Sequence, residues 1–121
     1  MKQSPRPESA QLDLRPAVCG YVRVEHPDED AVSEWKTAIQ QYCEEQDFRL
    51  ETIFTDRAVC GGTLTRPGLA GLVGVLSLPG VIGVVVPSEE HLSQYDLPLA
   101  RLRRVIARTN SEVLCVKAGK A

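Results

Sequence analysis

The chain has 121 residues, with 14 Lys and Arg against 16 Asp and Glu and a formal charge of −2. That length suits one domain with its own buried core. The slight acidity excludes a global electrostatic pull toward nucleic acid.

Four cysteines (Cys19, Cys43, Cys60 and Cys115) show no CxxC or Cys/His ligand spacing. They read as small buried thiols of a reducing cytosol, with no disulfide framework and no metal site. The N-terminus has no apolar signal segment, and the longest apolar run, at 81–86, is far too short to span a bilayer. A cytoplasmic protein without membrane contact is therefore expected.

Residues 1–17 combine Ser-Pro, Arg-Pro and aperiodic charge, and read as a disordered N-terminal arm. The folded domain is expected over 18–116 and a short polar tail over 117–121. Its first strand, 18–24, mixes β-branched and aromatic residues but also carries Tyr21 and Arg23. Two apart on a strand, these side chains share a face. Glu25 follows at the strand end.

Pro27-Asp28-Glu29-Asp30 marks a helix start, acidic residues complementing the exposed amide dipoles. Val32, Trp35, Ile39, Tyr42 and Cys43 recur at helical spacing to about Gln46, with Trp35 assigned to the core. A second strand is expected over 48–55, with Asp56 opening a loop that runs to Thr65. Within the loop, Gly61-Gly62 lies between Arg57 and Arg66. Glycine amides flanked by arginines suit a phosphate cradle, but without a lysine or a phosphate-loop pattern a sharp turn is the favoured reading.

Thr65 is expected to cap a helix with Pro67 in its first turn and Leu69, Leu72, Val73 and Leu76 buried. Pro79-Gly80 stops it. The nearly all-apolar 81–86 suits a central parallel strand covered on both faces. Asp96 is expected to cap the next helix, with Leu99, Leu102, Val105 and Ile106 facing inward. Arg101, Arg104 and Arg108 form a stripe on its other side. Residues 112–116 read as the fourth strand. Strand alternating with helix argues for a parallel sheet with right-handed crossovers.

Gly20-Tyr21-Val22-Arg23-Val24 resembles the opening strand of the serine recombinase (resolvase/invertase) catalytic domain, which reads tyrosine, x, arginine, valine, serine. The resemblance continues through Asp56-Arg57-Ala58-Val59-Cys60-Gly61-Gly62-Thr63 and Arg66-Pro67-Gly68-Leu69. It ends at Val84-Val85-Val86-Pro87-Ser88-Glu89-Glu90-His91-Leu92-Ser93-Gln94. It implies a three-layer, flavodoxin-like α/β fold with strand order 2-1-3-4 and helices on both faces. In that family a further strand, a long dimerising helix and a helix-turn-helix DNA reader follow, and this sequence ends before them.

The resemblance also locates departures. The family's nucleophilic serine falls on Glu25, its aspartate-arginine pair on Glu90 and His91, and its next arginine on Gln94. Only Tyr21, Arg23 and Arg66 remain of the expected active-site set. In the resembled enzymes serine attacks a DNA phosphodiester while arginines neutralise the developing charge, usually the largest catalytic contribution. A carboxylate ~4 Å from a phosphate oxygen costs roughly 4 kcal/mol at an effective dielectric near 20, so Glu25 would repel the substrate.

The expectation is a catalytically inactive domain that works as a protein-interaction or regulatory module, self-associating as a homodimer, without metal or cofactor. Arg23 is expected to pair with Glu25 or Glu90, within a vestigial anion pocket or a structural polar network. Two alternatives stay open: an accessory DNA binder using Arg101, Arg104 and Arg108, and a metal-dependent phosphoryl-transfer enzyme using Glu25 and Glu90.

Overall fold

The computed structural model describes residues 13–117. Most of the expected arm, and the last four residues of the expected tail, lie outside the described residues. The elements in order are β1 (Ala17–Val24), α1 (Glu29–Gln46), β2 (Arg49–Arg57), α2 (Pro67–Leu76), β3 (Val81–Val86), a 3-10 turn (Glu89–His91), α3 (Asp96–Ala107) and β4 (Glu112–Cys115). The four strands form one parallel sheet in the order β2-β1-β3-β4, as the resemblance implies.

β1 lies second in the sheet, and all eight of its residues are buried. Alternation sends its side chains to two layers. Val18 and Val22 meet Val32, Ile39 and Cys43 of α1 on one side. Cys19 and Tyr21 meet Leu69, Leu72 and Leu76 of α2, with Leu102 and Ile106 of α3, on the other. Val84, Val85 and Val86 of β3 are fully buried, which explains why that run shows no polar alternation. No helix among the described residues is long and apolar enough to cross a membrane.

Several local expectations need correction. β2 runs on through Asp56 to Arg57, so Asp56 sits in the sheet opposite Arg23 and does not open the loop. The N-cap of α2 is Arg66, not Thr65, and it supplies no side-chain bond. Asp96 is the first residue of α3, whose N-cap is Tyr95. Val105 is 36% exposed, because the inward stripe of α3 centres on Leu102 and Ile106 and leaves Val105 on its flank. Cys60 is exposed, although it was expected among the buried thiols, and all four cysteines are free. By contrast, α1 starts where its charges indicate, with Asp28 accepting a hydrogen bond from the Ala31 N–H at 3.1 Å.

At the lower end of the sheet, residues 13–16 lie along β2. The Arg49 guanidinium donates to the carbonyls of Asp13 and Arg15, and the Arg49 amide donates to Pro16.

Glycine matters most where β3 meets β4. A Cβ on Gly83 would stand 2.6 Å from the Glu112 carbonyl oxygen, a backbone atom that cannot move without breaking the ladder. Gly74, in contrast, sits in α2 with nothing within 4 Å of a Cβ. Urea unfolding is therefore expected to show Gly83→Ala losing about 1–3 kcal/mol. Gly74→Ala should gain about 0.5–1 kcal/mol through helix propensity and a less flexible unfolded chain.

Candidate functional site

The C-terminal ends of β1 and β3, where ligands bind in open parallel sheets, gather Tyr21, Arg23, Glu25, Arg66, Glu90, His91 and Gln94 into one region. They are not equivalent. Some are buried structural groups, and others face an open cleft.

Arg23 is 8% exposed, and its guanidinium donates to four acceptors. These are the carbonyls of His91 (3.3 Å), Val59 (2.9 Å) and Glu90 (2.7 Å), and Oε1 of Gln94 (2.9 Å). None is a carboxylate, so the expected pairing with Glu25 or Glu90 does not form. The reason is local: burial favours fixed backbone acceptors that already surround the group. Ala58, held in the left-handed region at φ +59°, turns the chain so that Val59 can reach both this guanidinium and, through its amide, the Val24 carbonyl.

Arg66 is buried in the same way. It donates to the Thr63 and Gly61 carbonyls at 2.7 and 3.0 Å, and more weakly to the Tyr21 hydroxyl and the His91 carbonyl. Gly61 thus offers its carbonyl to the arginine, and that carbonyl also accepts from the Ser93 hydroxyl at 2.8 Å. Arg57 points elsewhere, to Glu29. The glycine pair therefore forms a turn, and one of the two arginines imagined for a phosphate cradle faces away from it.

Tyr21 donates to Asp56 at 2.7 Å. The same carboxylate accepts the Gly68 and Leu69 amides at 2.7 and 3.0 Å, capping α2 from the neighbouring strand. A Cβ on Gly68 would press within 2.9 Å of that carboxylate, which makes glycine necessary there. Burial, together with the bond to Asp56, pushes the Tyr21 phenol well above its usual range.

His91 is 6% exposed. Its Nδ1 accepts the Arg23 backbone N–H at 3.1 Å, so the neutral ring carries its proton on Nε2. Burial, reinforced by the Arg23 and Lys117 charges, lowers its pKa from 6.5 to about 4. The Trp35 indole meets this ring edge-on at 4.4 Å. The helical spacing of Trp35 places it in the core. It packs there only in part, and it also lines the cleft.

That cleft, about 280 Å³, is bordered by Arg23, Glu25, His26, Asp28, Trp35, Glu90, His91 and Gln94. Glu89, next to Glu90 in sequence, pairs with Arg103 and does not border this cleft. Among the described residues, no three carboxylate, imidazole or thiol groups come together as metal ligands do. Arg101, Arg104 and Arg108 are all exposed on or just after α3. Arg101 borders a separate apolar groove of about 530 Å³ between α2 and α3, lined by Leu64, Leu69, Val73, Leu102 and Val105. Sequence reasoning missed Asp56, Ser93 and the Val59 carbonyl as parts of this region. Asp56 carried a signal, as an acid eleven residues before the Pro67-Gly68 helix start.

Residues 18–120 match the family described as Resolvase, N terminal domain. Among curated proteins, no match to the sequence is found. Several solved structures are similar in fold. The N-terminal catalytic domain of TP901-1 integrase has a TM-score of 0.74 at 20% identity, covering 84% of this chain and 77% of that one. The C-terminal catalytic domain of ISC1926 TnpA, an IS607-like serine recombinase, gives 0.73 at 16% identity, with 83% and 70% covered. A resolvase family site-specific recombinase from Streptococcus pneumoniae gives 0.71 at 13% identity, with 87% and 74% covered.

Two outcomes test the buried network. Asp56→Ala leaves two amides and a phenol without their acceptor, and chemical denaturation should show a loss on the order of 3 kcal/mol. Because His91 has a lower pKa folded than unfolded, protonation favours the unfolded chain. Its contribution is complete above pH 6.5 and is lost as pH falls toward about 4. The expected loss across that window is about 3 kcal/mol, and His91→Gln should flatten the slope in denaturation curves measured at each pH.

Proposed function

The chain belongs to the resolvase N-terminal domain family, and from that premise we propose that it is a recombinase-like domain that does not cleave DNA and works by binding protein. The observation carrying this reading is the state of the two arginines. The donors of Arg23 and Arg66 are turned to backbone carbonyls, the Gln94 amide oxygen and the Tyr21 hydroxyl. Clamping a phosphate would require breaking those bonds first, whereas catalysis by charge stabilisation requires donors already aimed at the reacting group.

The remaining groups point the same way. Where the resembled family places its serine stands Glu25, an exposed carboxylate with no alcohol to form a phosphoester. His91 and Gln94 stand where further arginines are expected, and His91 is neutral at pH 7 because burial holds its pKa near 4. The apolar groove between α2 and α3 supports self-association, since a second copy would cover it. The DNA-binding alternative has less support, as Arg101 borders that groove. The metal alternative leaves Glu25 and Glu90 without a third ligand among the described residues.

Incubation with supercoiled plasmid, followed by denaturing electrophoresis, tests the reading. Neither the natural chain nor Glu25→Ser is expected to nick the plasmid or become covalently attached, because restoring the hydroxyl does not free the arginines. A covalent protein–DNA adduct from the natural chain would overturn the proposal.

A further inference from the structure

We propose that the cleft at the C-terminal end of the sheet receives a lysine or arginine side chain of a partner protein. Glu25 and Glu90 would hold its charge, and the Nε2–H of His91 would donate to the adjoining peptide carbonyl. The inference rests on the protein-binding reading above and names the chemistry of the partner.

The first observation is which carboxylates lack arginines. Glu29 holds Arg57 and Glu89 holds Arg103. Glu25 and Glu90, which both line the cleft, make no ion pair among the described residues. Asp28, the third carboxylate at the rim, is engaged in capping α1. Arg23 on the cleft wall makes no ion pair with either acid, and its hydrogen bonds go to carbonyls and to Gln94.

The second observation is the imidazole. His91 is 94% withdrawn from solvent, yet its Nε2–H finds no acceptor among the described residues, while Nδ1 is fixed by the Arg23 amide. Nε2 is not among the fully enclosed polar atoms left without a partner, and the imidazole that carries it lines this cleft. A nearly buried donor without a partner is costly, and a ligand carbonyl would satisfy it.

Size and shape then select the ligand. About 280 Å³ lies at the lower edge of the roughly 300–1,000 Å³ typical of small-molecule sites and suits a single extended side chain. The dispersed carboxylates do not form a metal cage. An extended cation bearing an amide fits both constraints, and Trp35 on the same wall adds an aromatic surface for it.

Trp35 is the single tryptophan in the sequence, so its emission reports on this cleft alone. Nα-acetyl-arginine amide and Nα-acetyl-lysine amide, titrated at constant ionic strength, are expected to change Trp35 emission saturably and to move the His91 Nε2–H resonance along the same curve. Nα-acetyl-glutamine amide and inorganic phosphate should do neither. Glu25→Gln combined with Glu90→Gln should weaken the cationic probes by about tenfold or more, with the melting temperature unchanged because both residues are exposed.

The proposal is overturned if the cationic probes do not saturate, bind the double variant equally well, or leave the imidazole resonance in place. Saturation by phosphate would overturn it too. The two readings fail separately. A chain that takes the arginine probe but also cleaves plasmid sinks only the non-cleaving function, whereas one that does neither sinks only this site.

Discussion

A buried guanidinium without a carboxylate partner is the constraint that shapes the working end of this fold. Arg23 leaves β1 at its C-terminal end and gathers carbonyls from two separate segments, Val59 in the loop after β2 and Glu90 and His91 in the turn after β3. Arg66 repeats the arrangement with Thr63 and Gly61, and reaches His91 as well. Hydrogen bonds from a charged donor contribute more than neutral ones. Two such groups therefore fix loops that have little apolar content of their own. The cations act as internal ties between neighbouring strand ends.

Those ties determine what the surface above them can do. The Arg23 amide fixes Nδ1 of the His91 ring as an acceptor, and burial keeps the imidazole neutral. The anionic side chains of the region, Glu25 and Glu90, are pushed to the solvent-exposed rim. The two arginines are thus buried and hydrogen-bonded, while Glu25 and Glu90 are exposed and make no ion pair among the described residues. The two proposed readings both rest on this separation between buried, hydrogen-bonded cations and exposed acids.

Much of the fold was legible because burial imposes simple periods. β3 reads as apolar throughout since both faces are covered, and α1 shows its stripe and its acidic start. The order of the strands was not legible from periodicity and came only from the resemblance. In the site, the residues were found but their partners were not. Arg23 was expected to seek a carboxylate, because sequence displays charged side chains and hides backbone carbonyls. Asp56 was placed in a loop for a related reason. Its role as a cap for α2 depends on β2 lying next to β1, a tertiary fact that no local pattern encodes. Trp35 was placed in the core from its helical spacing, which gives a residue's face on the helix but not how far along the helix the core extends.

The charge balance of the interior gives these arginines a role that needs no chemistry. Arg23 and Arg66 bring two positive charges beneath the cleft, and Asp56, 4% exposed, is the buried carboxylate nearest them, linked to Arg66 through the Tyr21 hydroxyl. An uncompensated buried charge is expensive, and here the compensation comes from one carboxylate and a shell of oriented carbonyl dipoles. Tyr21, Arg23 and Arg66 would therefore be required by this fold even if no substrate ever reached it. Their presence reports on how the loops are held. The exposed groups at the rim, which nothing in the interior requires to be acidic, are the ones whose chemistry reports on what is bound.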